Sequence, residues 1–245
     1  APVSVEESLS NAKKYYTQIA YGTDKLMKWA VGCGCNNFVL ASTAAVYGEH
    51  DKVLLSEESD LYPQSPYASA KLLMEDMASH YKDQNVSILR FFNVYGERQR
   101  DTGGYVSAIP IFRAQVANGH PVTVTGDGEQ TRSFLYITDC IEGTKKLFES
   151  NEREVFNIGS EEQVSINQMI ELIEEIANYK VEKNYQLDKP KGVRGRSSDN
   201  TYVTKKIGWK SDNTLKEGLT KTYKWIEEQI NSGSNIDRFC RSLID

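Results

Sequence analysis

Phe38-Val-Leu-Ala-Ser-Thr-Ala-Ala-Val-Tyr-Gly48 opens as an apolar run and closes on hydroxyls and a glycine. A run as short as Phe38 to Ala41 predicts a strand buried on both faces of a parallel sheet. The flanking sequence agrees. Upstream, Ile19, Leu26, Met27 and Ala30 recur at helical spacing, predicting a helix from Asn11 to Val31 that Gly32-Cys-Gly34 ends. Downstream, Ser65-Pro66 opens a helix over Tyr67 to Tyr81, and Val86 to Phe92 reads as the next strand. Ile109 to Asn118 is a predicted helix stopped by Gly119, and Val122 to Thr125 and Phe134 to Ile137 are predicted strands. Thr138 or Asp139 is placed to cap a helix running to about Ser150. Val155 to Ile158 is a strand, Ser165 caps a helix over Ile166 to Asn178, and Leu215 to Ile230 is an amphipathic helix. Asp188 to Asn200 reads as a basic, polar linker, and the tail after Gly233 as frayed. Strands alternating with helices in this way imply right-handed βαβ units around a mostly parallel sheet, an α/β fold.

Composition narrows the function classes. The 245 residues are 39% hydrophobic and 26% charged, enough for a sizeable core and far from disordered or collagen-like chains. No apolar run of ~18 residues predicts a membrane span, and no charged-then-apolar leader opens the chain. A formal charge of −5 without a Lys/Arg block argues against nucleic acid as the partner. The four cysteines, Cys33, Cys35, Cys140 and Cys240, match no zinc spacing and read as free thiols of a cytoplasmic protein.

Parallel sheets bind ligands beyond the carboxyl ends of their strands, which directs attention to the residues after Leu40 and after Phe92. Ser42 and Thr43 stand at the first of these ends. Tyr67-Ala-Ser-Ala-Lys71 follows, with the phenol and the ammonium four residues apart on one helix face. A nearby Lys⁺ favours the phenolate and lowers a pKa that starts near ~10. Such a phenol can take a proton from a sugar hydroxyl while hydride leaves the same carbon.

Phe38 to Gly48, Ser65-Pro-Tyr67 to Lys71, Arg90-Phe-Phe-Asn-Val-Tyr-Gly96 and Gly126-Asp-Gly-Glu-Gln-Thr-Arg132 occur in that order. Together they resemble the extended short-chain dehydrogenase/reductases, in particular the NAD-dependent nucleotide-sugar epimerases and dehydratases. The resemblance spans nearly the whole chain, to about Gln229. It implies a Rossmann-type doubly wound parallel sheet, here truncated, with a smaller α/β substrate domain. The expected division is residues 1–103 for NAD, with about 131–158 returning to that unit, 104–230 mainly for substrate, and 231–245 as tail. By the same resemblance Tyr67 is the base, Lys71 binds the nicotinamide ribose and lowers the Tyr67 pKa, and Thr43 hydrogen-bonds the reacting hydroxyl. Ser42 and Phe92 fall at cofactor-contacting places. Asn93 and Arg132 fall where the nucleotide diphosphate or sugar is held, a task suited to a guanidinium fork, and Arg194 and Arg196 are candidates to clamp the diphosphate, the alternative being a solvated basic linker. No metal is expected. The family commonly dimerises through the Tyr67 helix and the one before it, where Leu72, Leu73, Met74, Met77 and Met27 offer either a homodimer surface or, equally, internal core.

Departures from the family pattern select the reaction. Dehydratases of the family carry Asp-Glu after the Thr, decarboxylases a Glu at the second of these places, and GDP-mannose 3,5-epimerases a Cys there. This chain has Ala44 and Ala45. Oxidation at C4, rotation of the 4-keto sugar and return of the hydride need only Thr43, Tyr67, Lys71 and a bound NAD. The expected activity is therefore 4-epimerisation, and of a UDP-hexose because the catalytic half resembles the UDP-sugar 4-epimerases. The nucleotide stays open. Gly192 to Asn200, Gln130 to Phe134 and Asn157 to Ser160 are more similar to the GDP-mannose 3,5-epimerases, and Lys189 and Gly192 stand where UDP-sugar enzymes have Arg and Asp. A GDP-sugar epimerase, or a non-catalytic nucleotide-sugar-binding fragment, are the alternatives. Before the first helix there is no GxxGxxG turn to cradle the NAD pyrophosphate. Ala1-Pro-Val-Ser resembles the loop after the family's fourth strand, so roughly 70 residues of an ordinary member are expected to be absent. Calorimetry on the 245-residue chain is expected to show weak NAD binding or none.

Overall fold

The computed structural model describes residues 1–99, 109, 120–188 and 195–231, the last three by backbone alone. The helical opening starts earlier than its periodicity predicts. It comprises α1 (Val5–Ser10), α2 (Ala12–Tyr15), a π-helical stretch Tyr16–Tyr21, and α3 (Gly22–Gly32). Ser4 Oγ accepts the Glu7 N–H at 3.0 Å and caps α1. Asn11, at φ −136° and ψ 48°, interrupts the rod before α2. The wider π turn then rotates Tyr15, Ile19 and Ala20 together into the interior.

The central sheet consists of β1 (Asn37–Thr43), β3 (Asn85–Phe91) and β8 (Val155–Ile158) in the order β1-β3-β8, all parallel. Thr43 is opposite Phe91, and Phe91 opposite Ile158, so three strand ends share one level. Contrary to the expectation for Phe38 to Ala41, β1 is not buried on both faces. Among the described residues it pairs on one side only, and Asn37 and Ala41 are exposed. An apolar run reports that a strand wants cover, and cover is supplied by neighbours elsewhere in the chain.

Helix α4 (Pro66–Ser79) begins where the sequence predicts. Ser65 Oγ accepts the Ala68 N–H at 3.2 Å, and Pro66 sits in the first turn, where its missing N–H costs nothing. It packs across β1 and the π turn, while α5 (Ile137–Glu149) covers the opposite part of β1 and β3. Met27 and Met74, 2% and 4% exposed, lie in these cores rather than on a dimer surface. Leu72, Leu73 and Met77 are half-buried. The α5 cap also differs from expectation. Tyr136 occupies the cap position with no side-chain capping bond, and the Asp139 carboxylate instead accepts the Asn213 backbone N–H (3.0 Å) and Nδ2 (2.6 Å).

The remaining elements form a second layer. Short strands β2 (Leu54–Leu55), β6 (Thr131–Ser133), β9 (Gln163–Ser165) and β11 (Gly195–Ser198) make a sheet in the order β2-β11-β6-β9. β4 (Val94–Tyr95) pairs with β7 (Leu135–Tyr136), and β5 (Val122–Thr125) with β10 (Lys183–Gln186). The stretch predicted as strand from Phe134 to Ile137 is thus shorter, and Ile137 already belongs to α5. The end of the predicted linker is strand β11, followed by an unpredicted helix α7 (Thr201–Ile207). The predicted helix from Ile109 to Asn118 lies outside the described residues apart from Ile109, as do Cys240 and the tail after Gly233.

Helix α6 (Ile166–Ala177) and α8 (Leu215–Asn231) pack together over a core that includes Val122, Val124, Met169 and Ile170. The Ser165–Gln168 capping box at the start of α6 is complete: Ser165 Oγ accepts Gln168 N–H at 3.1 Å and Gln168 Oε1 accepts Ser165 N–H at 2.8 Å. Ser165→Ala is expected to cost about 1 kcal/mol, read as a lower urea midpoint at unchanged slope. No helix among the described residues is long and apolar enough to cross a membrane.

Candidate active site

The carboxyl edge of the central sheet gathers most of the predicted site residues. Thr43 ends β1 in extended backbone, and its Oγ1 accepts the Ala45 N–H at 3.2 Å, capping the 3₁₀ turn Ala44–Tyr47. That bond uses an acceptor lone pair and leaves the hydroxyl proton available to a ligand. The turn then exits through Gly48 at φ +67°, where a Cβ would lie 1.9 Å from the Tyr62 carbonyl oxygen. Only glycine fits there, which accounts for the glycine closing the opening motif.

Lys71 is buried on α4, and its Nζ donates to the Ala41 carbonyl at 2.5 Å, two residues before Thr43. Tyr67 is half-buried one turn earlier on the same face, with its ring edge-on to Tyr15 at 6.3 Å. Burial pulls the Lys71 ammonium down to about 8, and the negative charge of Glu75 partly opposes this. Between about pH 8 and the ordinary lysine value the unfolded chain therefore holds more proton than the folded one, and stability rises with pH across that window. In paired urea titrations, wild type is expected to gain on Lys71→Met as pH climbs from 7.5 to 10.5. A constant difference would mean that Lys71 titrates normally.

Phe92 is fully buried against Tyr47, with ring centroids 6.1 Å apart, and its N–H donates to Ile158 at 3.1 Å. Asn93 follows with φ 37°, left-handed backbone that Asn tolerates. Its Nδ2 donates to the Ser133 carbonyl at 2.8 Å, and its own carbonyl accepts Leu135 N–H at 3.2 Å. Asn93 thus makes the turn while its exposed side chain stays at the strand end. Arg132 on β6 and Arg196 on β11 are register partners on adjacent parallel strands. Arg196 Nη1 donates to the Ala44 carbonyl and Arg132 Nη1 to the Thr131 carbonyl. Arg194 lies outside the described residues.

Ser42 is 4% exposed and its hydroxyl donates to the Glu75 carboxylate. It belongs to a buried network that sequence reasoning did not single out. Arg90 on β3 pairs with Glu75 on α4 at 2.7 Å, with side chains 5% and 6% exposed. Arg90 also donates to Tyr47 Oη at 3.0 Å, and Tyr47 Oη donates to Asn157 Oδ1 at 2.7 Å. Glu57 Oε1 accepts the Asn157 backbone N–H at 2.7 Å, and burial pushes the Glu57 carboxyl up. Burial likewise raises the Tyr47 phenol, with Arg90 opposing. The available signal was a lone arginine inside the apolar strand Val86 to Phe92, and a glutamate one turn after Lys71.

A buried ammonium on the Ala41 carbonyl, one helical turn from a half-buried phenol, suits the nicotinamide-ribose end of NAD, whereas the Phe92 ring is enclosed by the protein's own side chains. The pyrophosphate end finds no glycine-rich turn opening a helix among the described residues.

Residues 1–222 match the family model described as GDP-mannose 4,6 dehydratase. GDP-mannose 3,5-epimerase of Arabidopsis thaliana is 38% identical over 227 residues, covering 86% of this chain and 60% of that protein. The structure of UDP-glucose 4-epimerase from Thermotoga maritima with UDP-glucose superimposes with a TM-score of 0.87 at 30% identity, covering 94% of this chain and 76% of that one. That of UDP-glucuronic acid 4-epimerase from Bacillus cereus with UDP-glucuronic acid and NAD gives 0.79 at 32%, covering 86% and 68%. The chain spans about 60% of the length of the Arabidopsis relative.

Proposed function

Since this chain belongs to the NAD-dependent nucleotide-sugar epimerase and dehydratase family, we propose that its protein is a nucleotide-sugar epimerase, acting at C4 of a UDP-hexose. The observation that carries the reading is Lys71 Nζ on the Ala41 carbonyl, which holds the helix bearing Tyr67 against the strand that ends at Thr43, with alanines, which exchange no protons, at positions 44 and 45. Bound NAD supplies reversible hydride acceptance. Tyr67 takes the C4 hydroxyl proton, Lys71 holds the nicotinamide ribose and favours the phenolate, and Thr43 donates to the reacting oxygen. Phe92, and the strand end at Ser42, bound the nicotinamide. Arg132 and Arg196, with Arg194, grip the diphosphate, and Asn93 orients the sugar. Once oxidised, the 4-keto sugar turns over, and the same phenol returns its proton as hydride returns to the other face.

Residues 1–103 with 131–158 serve the cofactor in this reading, and 104–230 mainly the sugar nucleotide. The return of β8 to the central sheet supports that division. Leu26 and Trp29 on α3, 60% and 68% exposed, support a homodimer through α3 and α4. Exposed free Cys33 and Cys35 accord with a cytoplasmic setting. A GDP-sugar epimerase is the second reading, favoured by the 38% identity to GDP-mannose 3,5-epimerase. Incubation of the full-length protein with NAD and UDP-glucose, UDP-N-acetylglucosamine or GDP-mannose, with products read by NMR, tests both. The 4-epimer of a UDP-sugar is expected. A 4,6-dehydrated product would refute the argument from Ala44 and Ala45.

A further inference from the structure

Helix α3 ends in a complete Schellman turn. The Gly34 N–H donates to the Val31 carbonyl at 2.9 Å and the Cys35 N–H to the Ala30 carbonyl at 2.9 Å, with Gly34 left-handed at φ +85°. The turn accounts for the glycine, since left-handed backbone suits a residue without a Cβ. It does not account for the cysteines on either side. Free cysteine is among the most buried side-chain types. Cys140 conforms at 8% exposed, whereas Cys33 and Cys35 are both exposed free thiols. The Cys35 thiol points forward, donating to the Asn37 carbonyl at 3.5 Å at the start of β1. Packing explains neither thiol, and the property the two share is their chemistry.

We infer that Cys33 and Cys35 form a redox modification site whose reactants are low-molecular-weight disulfides of the glutathione class. The left-handed residue between them bends the chain sharply. Two Cα steps of ~3.8 Å meeting at such a bend bring the Cys33 and Cys35 Cα atoms to about 5.5 Å, within the ~4.4–6.8 Å that a disulfide spans. Beyond the chain neighbours of Gly34, no atom lies within 4 Å of the place its Cβ would take, so the turn has room to adjust as the ring closes. In the first step one cysteine thiolate attacks the external disulfide, forming a mixed disulfide and expelling one thiolate. In the second, the other cysteine thiolate attacks the protein sulfur of that mixed disulfide and expels the second. Two electrons pass from the protein to the external disulfide, the two thiol protons go to the expelled thiols, and one Cys33–Cys35 bond remains. Excess external thiol reverses both steps. Cys140 takes no part, because burial pushes its thiol up to about 11 and away from the reactive thiolate. Nothing in this assignment rests on the epimerase reading.

The test is oxidation of the folded 245-residue chain with glutathione disulfide, read by mass spectrometry of tryptic peptides after free thiols are alkylated. Cleavage after Lys28 and Lys52 leaves both cysteines in one peptide, Trp29 to Lys52. In the wild type that peptide is expected to lose two hydrogens, to carry neither glutathione nor alkyl group, and to regain both hydrogens with dithiothreitol. In Cys33→Ser and in Cys35→Ser it is expected to stop at one bound glutathione on the remaining cysteine. Cys140 is expected to be recovered alkylated throughout. Two alkylated cysteines in the wild-type peptide, bound glutathione that persists there, or a bond from either cysteine to Cys140, Cys240 or a second chain would each overturn the proposal. Should a serine variant fail to fold, the wild-type peptide decides alone.

Discussion

Tyr67→Phe is expected to slow epimerisation by about 10²–10⁴-fold, the usual worth of a positioned acid–base group, at an essentially unchanged melting temperature. The substitution keeps the ring, which is half-buried and edge-on to Tyr15 at 6.3 Å, and removes only the hydroxyl. The helix turn that carries it is secured independently by the Ser65 cap and by Lys71 on the Ala41 carbonyl. Loss of rate with preserved folding therefore reads the phenol's chemistry rather than its packing. The measurement is product formation by NMR in the full-length protein with NAD and UDP-glucose, paired with a thermal melt of the same sample. Activity within threefold of wild type would remove Tyr67 from the mechanism, and with it the assignment of reaction type.

Arg90→Leu is expected to destabilise the fold by about 3–5 kcal/mol, because it leaves the Glu75 carboxylate buried without its cation. The guanidinium also lies 5.0 Å from the Tyr47 ring centroid and donates to the Tyr47 hydroxyl, so further contacts are lost with it. Lys28→Met supplies the contrast. Its pair with Asp24 has a similar 2.7 Å separation, yet the lysine side chain is 69% exposed, and its loss should cost under about 1 kcal/mol. Urea unfolding of the three proteins at one pH measures both. Equal costs for the two substitutions would mean that burial does not set the worth of the Arg90 pair.

Much of the architecture was legible because its causes are local. The Ser65-Pro66 start, the Ser165–Gln168 box and the strand-forming runs at Val86 and Val155 act within a few residues, and α4, α6, β3 and β8 stand close to where they are predicted. Strand β11 and helix α7 were missed for the opposite reason. Gly195-Arg-Ser-Ser198 has no β-branched or aromatic residue, and it becomes a strand because β2 and β6 offer it partners from far along the chain. The Asp139 carboxylate likewise left its local capping role for Asn213, a residue 74 positions away.

The candidate site divides along the same line. Thr43, Tyr67 and Lys71 were readable from residue type and spacing, since four residues on a helix are one face in any fold. Arg132 and Arg196 were found separately, and only strand pairing makes them neighbours. Glu75 and Arg90 could be seen as charges in the chain, but not as a buried pair. Burial is a property of what packs around a group, and the α4, β1 and β3 segments that enclose this pair meet only when the sheet assembles. From its amino acids alone this protein declares most of its strands and helices, and a phenol and an ammonium on one helix face. Which charges lose their water is settled by tertiary packing, because desolvation depends on neighbours distant in sequence.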